Sequence, residues 1–417
     1  MEILSPAGNL EKLKYAVAYG ADAVYAGSQN FSLRSKADNF SHTDILEAVS
    51  FCHERKVKLF IPLNIYAHNK HIDDIKIYIK ELSDAGVDAI IVSDLGVFEL
   101  VKKIAPDINI HVSTQANVTS YQSVRAYEQL GAKRIILARE LTFFEIQEIR
   151  QKCPEIELEM FVHGAMCISY SGRCLLSAFL NGRSANRGEC THPCRWNYYL
   201  IEESRPNEHF SIEEDLHGFY FLNSKDLCLF NRLYEIYKCG INSVKIEGRM
   251  KSLYYIAAVT RAYKQALLNI QKYDTNNTLL QKDPDKSIDI FDNGFFRSEL
   301  DKVSHRVYIE GFFDSYQGKD TQDYGTAKYI RDWQFVGNIL KRENDMILVR
   351  SYFKINKSDE IELIFPEKQH DMKIKIHNLF NEDMMEIEFT KPNSCFYLKI
   401  SENVPEYGII RKRINYE

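Results

Sequence analysis

Four times in the first two-thirds of the chain, a helical run ends in glycine, two or three short residues follow, and an apolar burst begins. The four copies are AYGADAVYAGS at 18–28, DAGVDAIIVSDLG at 84–96, QLGAKRIILARE at 129–140 and KCGINSVKIEGR at 238–249. Gly20, Gly86, Gly131 and Gly240 fit the position just past a helix, where the backbone turns left-handed and a side chain would be strained. The bursts that follow (Ala23–Tyr25, Ala89–Val92, Arg134–Leu137 and Val244–Ile246) are short and apolar. Strands covered on both faces read this way.

Five more strand candidates are EILSPA, KLFIPLN, INIHVSTQAN, IELEMFVHG and FYFLNS. Helical stretches such as Leu10–Tyr19, Ile72–Ala85 and Ser120–Leu130 separate most of them. Strict alternation of strand and helix predicts a parallel sheet, and enough units are present to close a TIM-like (β/α)8 barrel. Nine candidates are one too many for eight places. FYFLNS is the doubtful one, because it could instead form a hairpin with YYLIEE at 198–203.

The chain changes character after about residue 270. YDTNNTLLQKDPDKSIDIFDNG is polar and rich in turn formers, so 271–300 is expected to be a linker. From 301 to 417 short alternating segments take over, from HRVYIEGFF through FVGNILKR, MILVRSYF and EIELIF to CFYLKI. They predict a small all-β, antiparallel barrel-like domain. The expected organisation is a barrel over 1–270 with a Cys-rich insertion at about 164–228, then the linker, then the β-rich domain.

In a barrel of this kind, chemistry collects where strands end and loops begin. Those ends carry Asn64, Gln115, Arg139, Glu140, His163, Lys225, Asp226, Lys245, Glu247 and Arg249. Any one strand end is polar simply because water returns there; a ring of amides, carboxylates, cations and a histidine at one mouth points to a site. Lys245, Glu247 and Arg249 alternate on one side of a strand, where unpaired charge is costly.

The stretch EMFVHGAMCISYSGRCLLSAFLNGRSANRGECTHPC at 159–194 holds Cys167, Cys174, Cys190 and Cys194, and Cys228 follows in NSKDLC. The N-terminus has no charged-then-apolar secretory pattern and no apolar run is long enough to span a bilayer, so the chain is expected in the cytoplasm, where thiols stay reduced. Clustered cysteines there bind metal or do chemistry. The spacings suit neither a zinc finger nor a redox Cys-x-x-Cys, which favours an iron–sulfur cluster over structural zinc. A cysteine-protease pair is conceivable with His163 or His192, but it would use one cysteine and leave the others unexplained. The same loop carries Arg173, Arg183, Arg187 and Arg195 against one acid, Glu189, a set suited to carboxylates or phosphates. Net charge is −5, so any contact with RNA must rely on such a local patch.

The segment Glu159-x-Phe161-x-x-Gly164-Ala165-Met166-Cys167, then four residues, then Gly172-x-Cys174-x-Leu176-Ser177, resembles the signature of the collagenase-like peptidase family U-thirty-two. SPAGNLEKLKYAVAYGADAVYAG, GRSANRGECTHPCRW, NSKDL and VKIEGRMKS extend the resemblance from residue 1 to about 265, and HRVYIEGFF carries it further. The pattern is most similar to the tRNA-hydroxylation (TrhP) branch. That resemblance implies oxygen-independent, prephenate-dependent hydroxylation giving 5-hydroxyuridine at the tRNA wobble position. It implies a four-iron four-sulfur (4Fe–4S) cluster on Cys167, Cys174, Cys190 and Cys228, with Cys194 as the alternative fourth ligand. Partners would be tRNA and the iron–sulfur assembly machinery. The family name supplies the alternative, a collagenase-like protease, against which stand the missing HExxH and GxSxG motifs.

Overall fold

The computed structural model describes residues 1–28, 39–166, 173–174, 176–183, 185, 190–191, 193, 200–201, 209–210, 225–276, 294–315, 329–402 and 404–414. Eight parallel strands form a closed ring. They are β1 (Glu2–Ala7), β2 (Ala23–Ala26), β3 (Lys58–Leu63), β4 (Ala89–Val92), β5 (Asn109–Val112), β6 (Arg134–Ile136), β7 (Glu157–Ala165) and, after β8 (Leu200–Ile201), β9 (His209–Phe210) and β10 (Asp226–Cys228), strand β11 (Ser243–Ile246). Each strand pairs with the next in sequence, and β11 closes the ring by pairing with both β7 and β1. Helices follow the strands: α1 (Leu10–Ala18), α2 (His42–Glu54), α3 (Ile72–Ala85), α4 (Leu95–Ile104), α5 (Tyr121–Leu130), α6 (Phe143–Lys152), α7 (Leu176–Asn181), α8 (Leu233–Lys238), α9 (Leu253–Asn276) and α10 (Phe295–Lys302).

Local chemistry sets these boundaries. Ser41 and Asp44 form a capping box at the start of α2, and Thr142 and Glu145 form another at α6, so side chains satisfy orphan backbone donors. All four repeat glycines have positive φ, as their place after a helix predicts. Eight of the nine strand candidates are the eight barrel strands. FYFLNS lies outside the described residues. The partner of Leu200–Ile201 is His209–Phe210, so the YYLIEE segment pairs with a nearer stretch than expected. Among the described residues, no helix is long and apolar enough to cross a membrane.

Two short strands extend the sheet outside the ring: β10 runs antiparallel to β7, and β12 (Tyr308–Ile309) runs parallel to β10. HRVYIEGFF therefore joins the barrel sheet and not the C-terminal domain. Helix also covers both ends of the expected linker, since α9 runs to Asn276 and α10 starts at Phe295. The C-terminal strands are β13 (Trp333–Glu343), β14 (Met346–Ser351), β15 (Glu360–Ile364), β16 (Met372–Lys375), β17 (Leu379–Phe380), β18 (Glu386–Ile387), β19 (Ser394–Lys399) and β20 (Ile409–Arg413). They make one antiparallel sheet, ordered β16-β15-β20-β13-β14-β19-β17-β18. Register shifts within β13 bend the sheet around its own apolar core.

The two domains share buried structure. Ile364 and Ile409 pack into the barrel's core, and the Tyr19 hydroxyl on the barrel side donates to the carbonyls of Ile364 and Tyr407. Glu299 on α10 is fully buried between Arg261 of α9 and Arg411 of β20. Buried ionic contacts of this kind are stable only where each charge keeps a partner.

Candidate functional site

Side chains on a barrel strand alternate between the interior and the helical layer. On β7 the interior parity selects Glu157, Glu159 and Phe161, and on β11 it selects Ser243 and Lys245. The lower interior is ionic. Arg134 Nη1 lies 2.6 Å from Glu2 and 3.0 Å from Glu159, and its Nη2 lies 2.7 Å from Glu157. Glu159 is fully buried, and its other oxygen stands 3.2 Å from Lys245 Nζ. His111 sits edge-on to Phe60 beside this network, and burial together with the Arg134 and Lys245 charges holds its pKa well below the usual histidine range.

Above the network, at the C-terminal ends of the strands, a pocket is lined by Tyr25, Asn64, Ser113, Thr114, Gln115, Arg139, Phe161, Lys245, Glu247 and Arg249. Six of these were predicted from strand-end positions alone: Asn64, Gln115, Arg139, Lys245, Glu247 and Arg249. Asn64 donates to Ser113 Oγ, which also accepts the Gln115 backbone N–H, and Ser93 Oγ donates to the Asn64 carbonyl, so the ends of β3, β4 and β5 are tied together. Arg139 donates to the Ala165 carbonyl at 2.8 Å and lies 4.6 Å from the centre of the Phe161 ring. The Tyr25 hydroxyl donates to the Ile246 carbonyl and comes within 3.5 Å of Glu247. Three cations against one carboxylate suit a small anion. Burial pushes the Lys245 amine below its ordinary pKa, although Glu159 works the other way. Glu140 is half-buried in the turn after β6 and does not line the pocket.

His163, expected at this mouth, is turned to the outside of the barrel. Phe161 opposes Lys245, but His163 opposes Ile246, so one residue of β7 is unmatched. Such a bulge reverses the facing of everything beyond it. His163 consequently lies among Tyr255, Tyr263 and Tyr308, with ring centres 5.3–5.9 Å away, and is 1% exposed. Burial first, and then the positive Lys251, holds it well below the usual histidine range. Cys228 lies directly across from it on β10, buried, with Sγ 4.0 Å from the Tyr263 hydroxyl. Burial raises its thiol pKa.

The close approach of β7 to the backbone just after β11 depends on Gly164. Its φ is +107°, and a Cβ there would stand 2.5 Å from the Glu247 carbonyl oxygen. Gly164→Ala is expected to destabilise the protein by about 2 kcal/mol and to disturb the Glu247 side of the pocket. The shift in urea midpoint reads this, and an unchanged midpoint would contradict it.

The other predicted residues are dispersed. Asp226 is buried outside the mouth pocket, its Oδ2 accepting the Arg306 backbone N–H at 3.2 Å with Lys251 3.9 Å away. Lys225 and Arg183 are half-buried and Arg173 is exposed. Arg187, Arg195, Cys167 and Cys194 lie outside the described residues. Cys174 and Cys190 are half-buried and Cys228 is buried. Ser177 and Thr191 hydrogen-bond through side chain and backbone, and Asn181 also donates to Thr191. These bonds bring the residues just after Cys174 to the residue just after Cys190. Among the described residues no three Cys, His, Asp or Glu side chains gather as a metal-holding group; thiolates from Cys174, Cys190 and Cys228 are the donor type that an iron–sulfur cluster takes. Sequence reasoning missed Glu159 as a functional partner. Its signal was present: Glu157 and Glu159 alternate with Ile156, Leu158 and Met160, which places carboxylates on the inner face.

The chain matches "Peptidase family U32" over residues 8–323 and "Peptidase family U32 C-terminal domain" over 331–411. It is 37% identical over 416 residues to the tRNA hydroxylation protein P1 of Bacillus subtilis, covering 99% of this chain and 94% of that one. It is 34% identical over 330 residues to the 23S rRNA 5-hydroxycytidine C2501 synthase of Escherichia coli, covering 79% of this chain and 48% of that one. A collagenase of Porphyromonas gingivalis is 29% identical over 360 residues, covering 82% and 80%.

Proposed function

The chain belongs to peptidase family U32, and we propose that it hydroxylates RNA, converting the wobble uridine of tRNA to 5-hydroxyuridine without molecular oxygen and with prephenate as co-substrate. The observation that carries this reading is the likeness, through both domains and 99% of the chain, to a protein named for tRNA hydroxylation. The pocket geometry agrees with it. Arg139 and Arg249 offer guanidinium groups to carboxylates, Asn64 and Gln115 offer amides for orientation, and Glu247 is a carboxylate able to accept a proton at the rim. Cys167, Cys174, Cys190 and Cys228 would hold a 4Fe–4S cluster, with Cys194 as the alternative fourth ligand. When bound, such a cluster supplies one-electron chemistry.

The peptidase alternative fits the described geometry less well. A cysteine nucleophile needs a histidine base that substrate can approach. His163 and Cys228 are neighbours, but both are enclosed by tyrosines, and burial disfavours both the imidazolium and the thiolate that the pair would have to form.

The test is nucleoside mass spectrometry of tRNA from a strain lacking the protein. Wild-type complementation is expected to restore 5-hydroxyuridine and its derivatives, and Cys174→Ala is expected to leave them at background. Unchanged modification in the deletion strain would refute the reading. Anaerobically purified protein should carry iron and sulfide, and Cys174→Ala should lose them.

A further inference from the structure

We propose that Lys245 captures the carbonyl carbon of a small 2-oxo carboxylate in the mouth pocket as a reversible imine, with Arg139 and Arg249 receiving the carboxylate. This inference deepens the reading above and rests on it for the pocket being the co-substrate site.

Barrel interiors of this fold are usually filled by branched apolar side chains. Here a lysine occupies an interior position on β11 at 4% exposure. Its nearest carboxylate, Glu159, is already held by Arg134. The Lys245–Glu159 contact is also poorly directed, because Glu159 Oε1 is buried yet accepts no hydrogen bond of good geometry. The remaining surroundings are aromatic, with the Tyr25 ring centre 4.4 Å and the Phe161 ring centre 5.5 Å from Nζ. A purely structural ion pair would be better served by closer alignment. A desolvated amine beside a carboxylate and beneath an open pocket is the arrangement of a nucleophilic lysine.

The ligand class follows from the lining. A guanidinium takes a carboxylate bidentately, and an amine reacts with an adjacent carbonyl, so together they select a 2-oxo acid over a simple carboxylate or a phosphate. Prephenate contains such a group. In the step, Lys245 yields a proton to Glu159 and its lone pair forms a C–N bond to the carbonyl carbon. The C=O pair moves to oxygen, which is protonated and leaves as water while C=N forms. Carbonyl plus lysine ammonium gives protonated imine plus water, with no net oxidation or reduction.

The full-length protein, treated with pyruvate and sodium cyanoborohydride, should carry a single dominant reduced adduct that peptide mass spectrometry maps to Lys245. The adduct should be lost in Lys245→Met and after unfolding in urea. Arg139→Gln should raise the pyruvate concentration for half-maximal trapping by roughly tenfold, the value of a lost charge-assisted bond. Adducts spread over exposed lysines such as Lys133, with none at Lys245, would overturn the proposal, and the wild-type map decides this even if Lys245→Met fails to fold. Trapping at Lys245 in a protein whose deletion leaves tRNA unchanged would sink the hydroxylation reading alone. An unreactive Lys245 with tRNA modification intact would sink this inference alone.

Discussion

Replacing Glu299 with alanine is expected to destabilise the protein by about 3–5 kcal/mol, because it leaves buried guanidinium groups short of a partner. Glu299 accepts from Arg411 at 2.7 and 2.8 Å and from Arg261 at 3.2 Å, and Lys302 stands 2.9 Å away. Arg411 keeps Glu362 and Arg261 keeps Asp371 after the substitution, so the domains need not separate, but neither arginine is then fully compensated. Burial alone would raise the Glu299 pKa; the hydrogen bonds and charge of Arg411, with Lys302 and Arg261, outweigh it and bring the value down to about 2. A depressed carboxyl contributes stability that is present above its unfolded pKa of 4.5 and lost as pH falls through the folded value. Wild type should therefore lose stability between about pH 4.5 and pH 2, and Glu299→Gln should show a flatter profile over the same window. Urea unfolding across that range is the measurement. Parallel profiles for the two proteins would mean that the carboxylate charge is not what holds the interface.

Glu159→Ala should be comparably severe at neutral pH, again about 3–5 kcal/mol, since it strands Lys245 inside the barrel. Arg134 retains Glu2 and Glu157, so the lysine bears most of the loss. Its folded pKa is already depressed by burial, and removing the carboxylate depresses it further. For a base, that penalty is full below the folded pKa and relieved as pH rises through it, so the variant should lose more stability at about pH 6 than at about pH 10. Lys245→Met in the Glu159→Ala background should recover part of the loss, because a long apolar side chain replaces the unpaired charge. No recovery in the double variant would show that Glu159 acts through Arg134 instead.

The contrast between Asn64 and His163 shows where sequence reasoning holds and where it stops. Asn64, Gln115 and Arg139 were legible because each follows an apolar strand directly, and the position where a strand runs out is a local property. His163 has the same local appearance, yet its facing depends on how β7 pairs with β11, a strand distant in the chain. The cysteines were legible as a set of residue types, while the Ser177–Thr191 bonds between their two neighbourhoods in the chain were not.

Glycines after helices and short apolar bursts determined the parallel barrel from sequence alone, because left-handed caps and strands covered on both faces are short-range requirements. Tertiary structure alone decided that Glu159 meets Lys245, that Glu299 joins the domains through Arg261 and Arg411, and that a bulge sends His163 outward. A charge buried in the interior must find its counter-charge among distant strands, and nothing within a few residues of it specifies which strand that will be.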